Sequence, residues 1–384
     1  MHDAVPVGGT CDPRFTAVRD AFVANFTERG DVGAAVCVSV GGRVVVDLWG
    51  GWADAARVRP WRRDTLVDFF SVSKGLTTAC ALQLVERGLL DLDAPLTRWW
   101  PEFGAAGKEH VTLRQVLSHR AGLPAVRERL PDGTMLDWGA MTAALARESP
   151  WWTPGTAHGY HVNTFGFLVG EVVRRASGTT LGTLLHTRLA GPLGADVHIG
   201  LPASAHGRVA EFLWPEGAMP PASPPSADEG DVMRWAAYWN PPGVSGAGWV
   251  NTAAWRSAEL PSANGHGTAR GVARVYAALA RGGAIDGVRV LGADVLAEAV
   301  REQSVGQDLI LQRPSRFGIG FQLPQPERPL GPNAGAFGHF GTGGSVGFCD
   351  PEADVAFGYV MNDLGPRWQN PRNRALVDAV YASL

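Results

Sequence analysis

A serine placed three residues ahead of a lysine is the first feature of this chain that could do chemistry: Ser71-Val72-Ser73-Lys74. On a helix, positions three apart share a face, so the lysine amine can reach the serine hydroxyl. The motif stands at a loop-to-helix junction. There the first backbone N–H groups are unpaired and suited to an oxyanion. The pair points to acyl transfer with Ser71 as nucleophile. S-x-x-K alone recurs by chance in many chains, so the surroundings decide. The 34 Lys plus Arg include only two Lys, Lys74 and Lys108. Lys108 lies in the polar stretch AAGKEH and asks for no special role, whereas Lys74 begins an apolar helix. Arginine cannot give up its proton in a protein, and a desolvated lysine can. A lysine retained at position 74 is therefore expected to act as a base.

Four blocks follow one another along the chain: FFSVSKGLTTACALQLVERGLLDLDAPL, VTLRQVLSHRAGLP, TPGTAHGYHVNTFGFLVGEVVRRASG and FGHFGTGGSVGF. Together they resemble the serine β-lactamase-related superfamily, in particular class C β-lactamases and the family VIII carboxylesterases built on that fold. The resemblance runs from about Val32 to Leu384. It implies that Ser71 is the nucleophile, Lys74 its partner and Tyr160 the catalytic tyrosine. It also implies an oxyanion hole from the backbone N–H of Ser71 and Thr342. His339-Phe340-Gly341 matches the K-T-G block, which makes His339 and Gly341 substrate-binding candidates. Lys74 and Tyr160 would share a proton network in which neighbouring positive charge favours the phenolate. The chain departs from the lactamase pattern twice. Val162 stands where the lactamases have Asn, with Asn163 one place late, and His339 replaces the K-T-G lysine. Both replaced groups would recognise a lactam's amide and carboxylate, so an ester substrate is expected. Alternatives within the same chemistry are an acyltransferase and a lactam or D-amino-acid peptide hydrolase. A non-catalytic covalent sensor is the alternative outside it.

Other motifs read as decoys. Gly343-Gly344-Ser345-Val346-Gly347 fits G-x-S-x-G, but that elbow needs a helix after the serine and a later histidine. Strand patterns follow instead, and no His comes after His339. His158 and His161 form H-x-x-H without a supporting metal motif and read as solvated loop histidines. The stretch Asn264-Gly265-His266-Gly267 has no phosphate-loop lysine and reads as the turn before a helix.

The elements that must hold these residues are legible from pattern. Asp12-Pro13 predicts a helix start, continued by Phe15, Val18, Phe22 and Phe26 to Gly30. VGAAVCVSV and RVVVDLWGG, joined by Gly41-Gly42, predict a hairpin. Helices are expected from near Ser71 to Gly88, over 166–176, 181–189 and 268–281, and from Asn370-Pro371 onward. Strands are expected at FGIGFQL, FGHFGTGGSVGFCD and DVAFGYVMN. The expected class is α/β (α+β): an antiparallel sheet flanked by helices, as in the β-lactamase/transpeptidase fold. Residues 1–75 and 265–384 would form the sheet region, and 76–264 a mainly helical insertion. Within it, 201–250 is rich in Pro, Gly and Trp and reads as a structureless lid.

Composition narrows the function class. The chain has 384 residues, 45% hydrophobic and 18% charged, with net charge −3, enough for a large core. No basic patch argues for nucleic acid. No run of about 18 apolar residues argues for a membrane span. MHDAVPVGGTCDPRF shows no charged leader before an apolar run, so no signal peptide is expected. Cys11, Cys37, Cys80 and Cys349 are widely spaced and read as reduced thiols, which suits a cytoplasmic protein. The expected partner is a small-molecule ester or acyl substrate, with no cofactor and no metal.

Overall fold

The computed structural model describes residues 5–215 and 221–384. Six strands form the principal sheet: β1 (Val7–Cys11), β2 (Gly33–Val40), β3 (Arg43–Gly51), β4 (Phe337–Phe340), β5 (Val346–Asp350) and β6 (Val355–Met361). Their order is β1-β3-β2-β6-β5-β4, and every pairing is antiparallel. The two ends of the chain meet at the β2–β6 seam, where Val38 lies opposite Phe357. The expected hairpin is the β2–β3 pair. Gly41 and Gly42 adopt φ of +60° and +76°, the double positive turn whose twist matches paired strands.

Six helices matter to the site and its support: α1 (Thr16–Thr27), α2 (Ser73–Glu86), α3 (Thr164–Ser177), α4 (Glu229–Trp239), α5 (Ala269–Ala280) and α6 (Pro371–Ala382). β2 and β6 are buried along nearly their whole length, so both faces of the sheet are covered. α5 packs across β2, β6 and β5 on one face. On the other face α1 packs against α6. Tyr359 of β6 donates to Asp31 there, and Asp31 pairs with Arg372 at 3.1 Å. Away from the sheet, α2 packs on α3 and is buried almost all round. Among the described residues no helix is long and apolar enough to cross a membrane.

Three expectations need correction. FGIGFQL is not a strand: the strand Pro314–Phe317 stops at Phe317, and Gly320 at φ +70° turns the chain. The 201–250 segment is not structureless. Its residues 216–220 lie outside the described residues, but the rest holds the turn Ala203–Arg208 and the 11-residue helix α4. Asp228 caps that helix, and Met233, Ala236 and Ala237 form its buried face. Lys108, in a polar stretch that asked for no special role, has one in packing. It is fully buried, and its ammonium donates to the carbonyls of Ala105 at 2.7 Å, Ala146 at 3.0 Å and Glu148.

Candidate active site

Ser71 sits in a 3₁₀ turn, Phe70–Val72, that runs directly into α2. The residue before it is held in a strained state. Phe70 has φ +48°, a conformation that costs of order 1–3 kcal/mol in a non-glycine residue. Two contacts impose it. Asp68 accepts from the Phe70 N–H at 2.7 Å, and Phe69 N–H donates to Gly265 O at 2.9 Å. Asp68 also accepts from the Trp255 indole at 2.8 Å, and burial pushes its carboxyl up to about 8. The Asn264–Gly267 stretch is thus more than a turn: it pairs with the segment that carries Ser71.

Lys74 stands one helical turn on, fully buried, with Nζ 3.1 Å from Ser71 Oγ. Its other two partners are carbonyls, Val162 O at 2.7 Å and Ser262 O at 3.0 Å. No acid among the described residues pairs with it, and burial holds its pKa well below the lysine value. Lys108 offers an internal comparison. Its three N–H bonds all go to carbonyls, which suits an ammonium. Lys74 has only two carbonyls. A neutral amine there gives both N–H groups away and turns its lone pair to the serine hydroxyl.

Tyr160 closes the group from the opposite side. Its ring centroid lies 4.8 Å from Lys74 Nζ, and it packs against Phe317, Trp368 and His119. Its loop is anchored by Asp308, which accepts from Tyr160 N at 3.0 Å and from Ile310 N, Leu311 N and Ser315 Oγ at 2.9 Å each. Among the described residues the buried Tyr160 hydroxyl has no hydrogen-bond partner of good geometry, and the Ser71 hydroxyl is its polar neighbour. Burial raises its pKa well above the ordinary tyrosine value, and the adjacent Ser71 hydroxyl opposes the rise. Burial therefore drives Lys74 and Tyr160 both toward their neutral forms. An ammonium–phenolate pair, the state read from the sequence, is disfavoured.

Thr342 begins a tight turn after β4, on the wall of the same cavity as Ser71. Gly341 explains how it gets there. A Cβ at that position would lie 2.2 Å from Phe69 O, so only glycine lets β4 approach the segment before the serine. His339 and Gly341 were expected to contact substrate, but both are buried and neither lines the cavity. The His339 ring centroid lies 6.0 Å from that of Tyr160, with Nδ1 2.7 Å from Phe340 O and Nε2 without a partner among the described residues. Burial, with Lys74 nearby, holds its pKa at about 3, so it is neutral at physiological pH. His158 and His161 are not solvated either. His161 is fully buried, and its Nε2 accepts from Leu123 N at 3.1 Å, while His158 bonds Ser315. Ser345 is fully buried at the start of β5, out of reach of a substrate.

The cavity over Ser71 has a volume of about 770 Å³. Trp214, Tyr238 and Trp239, from the segment expected to be a lid, line it together with Asn163. The sequence reading missed Asp308, Ser262 and His119, which act through contacts far apart in the chain. His119 alone lay within a recognised block.

The sequence model of the family described as Beta-lactamase matches residues 19–382. The "Esterase/beta-lactamase LipL" of Mycobacterium tuberculosis (strain ATCC 25618 / H37Rv) is 38% identical over 373 residues, covering 94% of this chain and 85% of that one. A solved structure described as a family VIII carboxylesterase superposes with TM-score 0.91 at 43% identity, over 99% of this chain and 100% of that one. A penicillin-binding protein homolog from Caulobacter crescentus superposes with TM-score 0.90 at 41% identity, over 99% and 100%.

Proposed function

The chain belongs to the beta-lactamase family, and on that premise we propose that it is a serine hydrolase that cleaves carboxylic esters through an acyl-enzyme on Ser71. The observation that carries this is the Lys74 amine, which is buried without a counter-charge, tied to two carbonyls and left facing Ser71 Oγ. The neutral amine takes the Ser71 proton as Oγ attacks the ester carbonyl. The backbone N–H groups of Ser71 and Thr342 receive the developing oxyanion. The tyrosine hydroxyl hydrogen-bonds the departing alkoxide and passes it the proton held by Lys74. Water enters after the alcohol leaves. The same amine deprotonates it as its oxygen attacks the acyl carbon; the Ser71 Oγ–acyl bond then breaks, Ser71 Oγ takes the proton back from Lys74, and the acyl group departs as the acid.

Esters are favoured over β-lactams by what faces the substrate. A lactam's side-chain amide needs a partner once buried. Val162 offers none, and the Asn163 amide donates to Ala237 O at 3.0 Å and Ser245 Oγ at 2.9 Å. An unmatched polar group costs about 1–3 kcal/mol, or roughly 5- to 150-fold in kcat/KM. p-Nitrophenyl butyrate is therefore expected to exceed nitrocefin in kcat/KM by about tenfold or more. Because His339 stays neutral at both pH 6 and pH 8, its protonation should not change that ratio. Nitrocefin ahead at both pH values would overturn the ester assignment.

A further inference from the structure

Three arginines, Arg313, Arg328 and Arg367, line the cavity that contains Ser71. Arg313 and Arg328 are half-buried, and Arg367 is exposed. Among the described residues none of the three is in an ion pair, whereas arginines elsewhere in the chain pair repeatedly, as Arg114, Arg127 and Arg175 do. Arg313 lies 4.9 Å from the Trp368 ring, and Arg328 reaches only Pro314 O at 3.4 Å. Burial lowers the pKa of both Arg313 and Arg328; the Arg328 charge adds to the lowering at Arg313, while at Arg328 the neighbouring Glu327 opposes it and Arg367 adds a smaller lowering. Among the described residues that line the cavity, Glu327 is the one acid. Among these described residues three cations stand against one anion, a balance of two positive charges.

Like charges gathered in a half-buried space are costly unless an anion joins them. Guanidinium groups present paired N–H donors that match carboxylate and phosphate oxygens. The aromatic residues Trp214 and Tyr238 line the same cavity. We propose that the substrate is an anionic ester, whose acyl or alcohol part carries a carboxylate or phosphate group that docks on Arg313, Arg328 and Arg367. This inference rests on the serine-hydrolase reading. Positive charge at the site then comes from these arginines and not from position 339, where the histidine is neutral and buried.

The test compares matched substrates on one preparation. Mono-p-nitrophenyl glutarate carries the charge on the acyl side and is set against p-nitrophenyl butyrate. O-butyryl lactate and O-butyryl glycerol phosphate carry it on the alcohol side, as carboxylate and phosphate, and are set against O-butyryl glycerol. At least one anionic ester is expected to exceed its neutral counterpart in kcat/KM by about tenfold at low salt, with the advantage shrinking in 0.5 M NaCl. The arm that shows it identifies the side and the anion. Arg313→Gln and Arg328→Gln should each lower the anionic-to-neutral ratio by about fivefold or more, and Arg328→Lys by less. The ratio is independent of how much folded enzyme each variant yields. If no anionic ester beats its counterpart in the wild type, or the ratio ignores both Gln substitutions, the anion site is refuted while the hydrolase reading stands. Absence of Ser71-dependent turnover of the neutral esters would overturn the hydrolase reading, and this inference with it.

Discussion

Lys74→Arg is expected to lower kcat by about 10²–10⁴-fold, as much as Lys74→Met does, because what position 74 supplies is a lone pair. Arginine keeps the positive charge but cannot release its proton near neutral pH. It would also place a cation where only two carbonyls and a hydroxyl wait, with no acid among the described residues to balance it. A buried charge without its partner costs about 3–5 kcal/mol, so the Arg variant should also melt well below the wild type. The Met variant keeps the apolar stem without the charge and should fold better while remaining as slow. Circular dichroism melts beside p-nitrophenyl ester kinetics separate the two effects. An Arg variant with near wild-type kcat would show that Lys74 acts only as a cation.

Tyr160→Phe should split stability from activity. The hydroxyl is buried, and its polar neighbour, the Ser71 hydroxyl, keeps Lys74 Nζ as a partner, so removing it leaves no described group unpaired. An unsatisfied buried hydroxyl costs about 1–3 kcal/mol, so Tm is expected to hold or rise by a few degrees. If the hydroxyl carries the proton to the leaving alcohol, kcat should nevertheless fall by about 10²–10⁴-fold, with KM little changed. The loss should be largest for alkyl esters, whose alkoxides need a proton, and smaller for p-nitrophenyl esters, whose phenolate leaves unaided. A Phe variant that melts lower and keeps its kcat would make Tyr160 a packing residue.

How much of this could be read from the sequence depended on how local each determinant is. The Ser71–Lys74 contact lies within one helical turn, and the spacing sufficed. Tyr160, far along the chain, came only through resemblance to a family. The hairpin was plain from Gly41-Gly42, and α5 from the helical pattern over 268–281. Lys108 and Lys74 show the limit. Both are fully buried, yet AAGKEH reads as no more than a polar stretch, because nothing near Lys108 in sequence reveals the carbonyls of Ala146 and Glu148. The histidines failed likewise: HGYH looks polar, but the fold buries His161 beside His119. Helix α4 was missed for another reason. The prolines and glycines around it masked a sound N-cap at Asp228 and a short apolar face. The arginines of the cavity come from three separate stretches, and only the folded chain brings them together.

The central claim is that Ser71, and no other serine, forms the acyl-enzyme. A fluorophosphonate probe on the native protein, followed by peptide mass spectrometry, tests it most directly. One adduct per chain is expected, on the peptide carrying Ser71, lost in Ser71→Ala and slowed in Lys74→Met. Ser345, with its hydroxyl fully buried, should stay unlabelled. An adduct on Ser345, or labelling that survives Ser71→Ala, would contradict the assignment of the nucleophile.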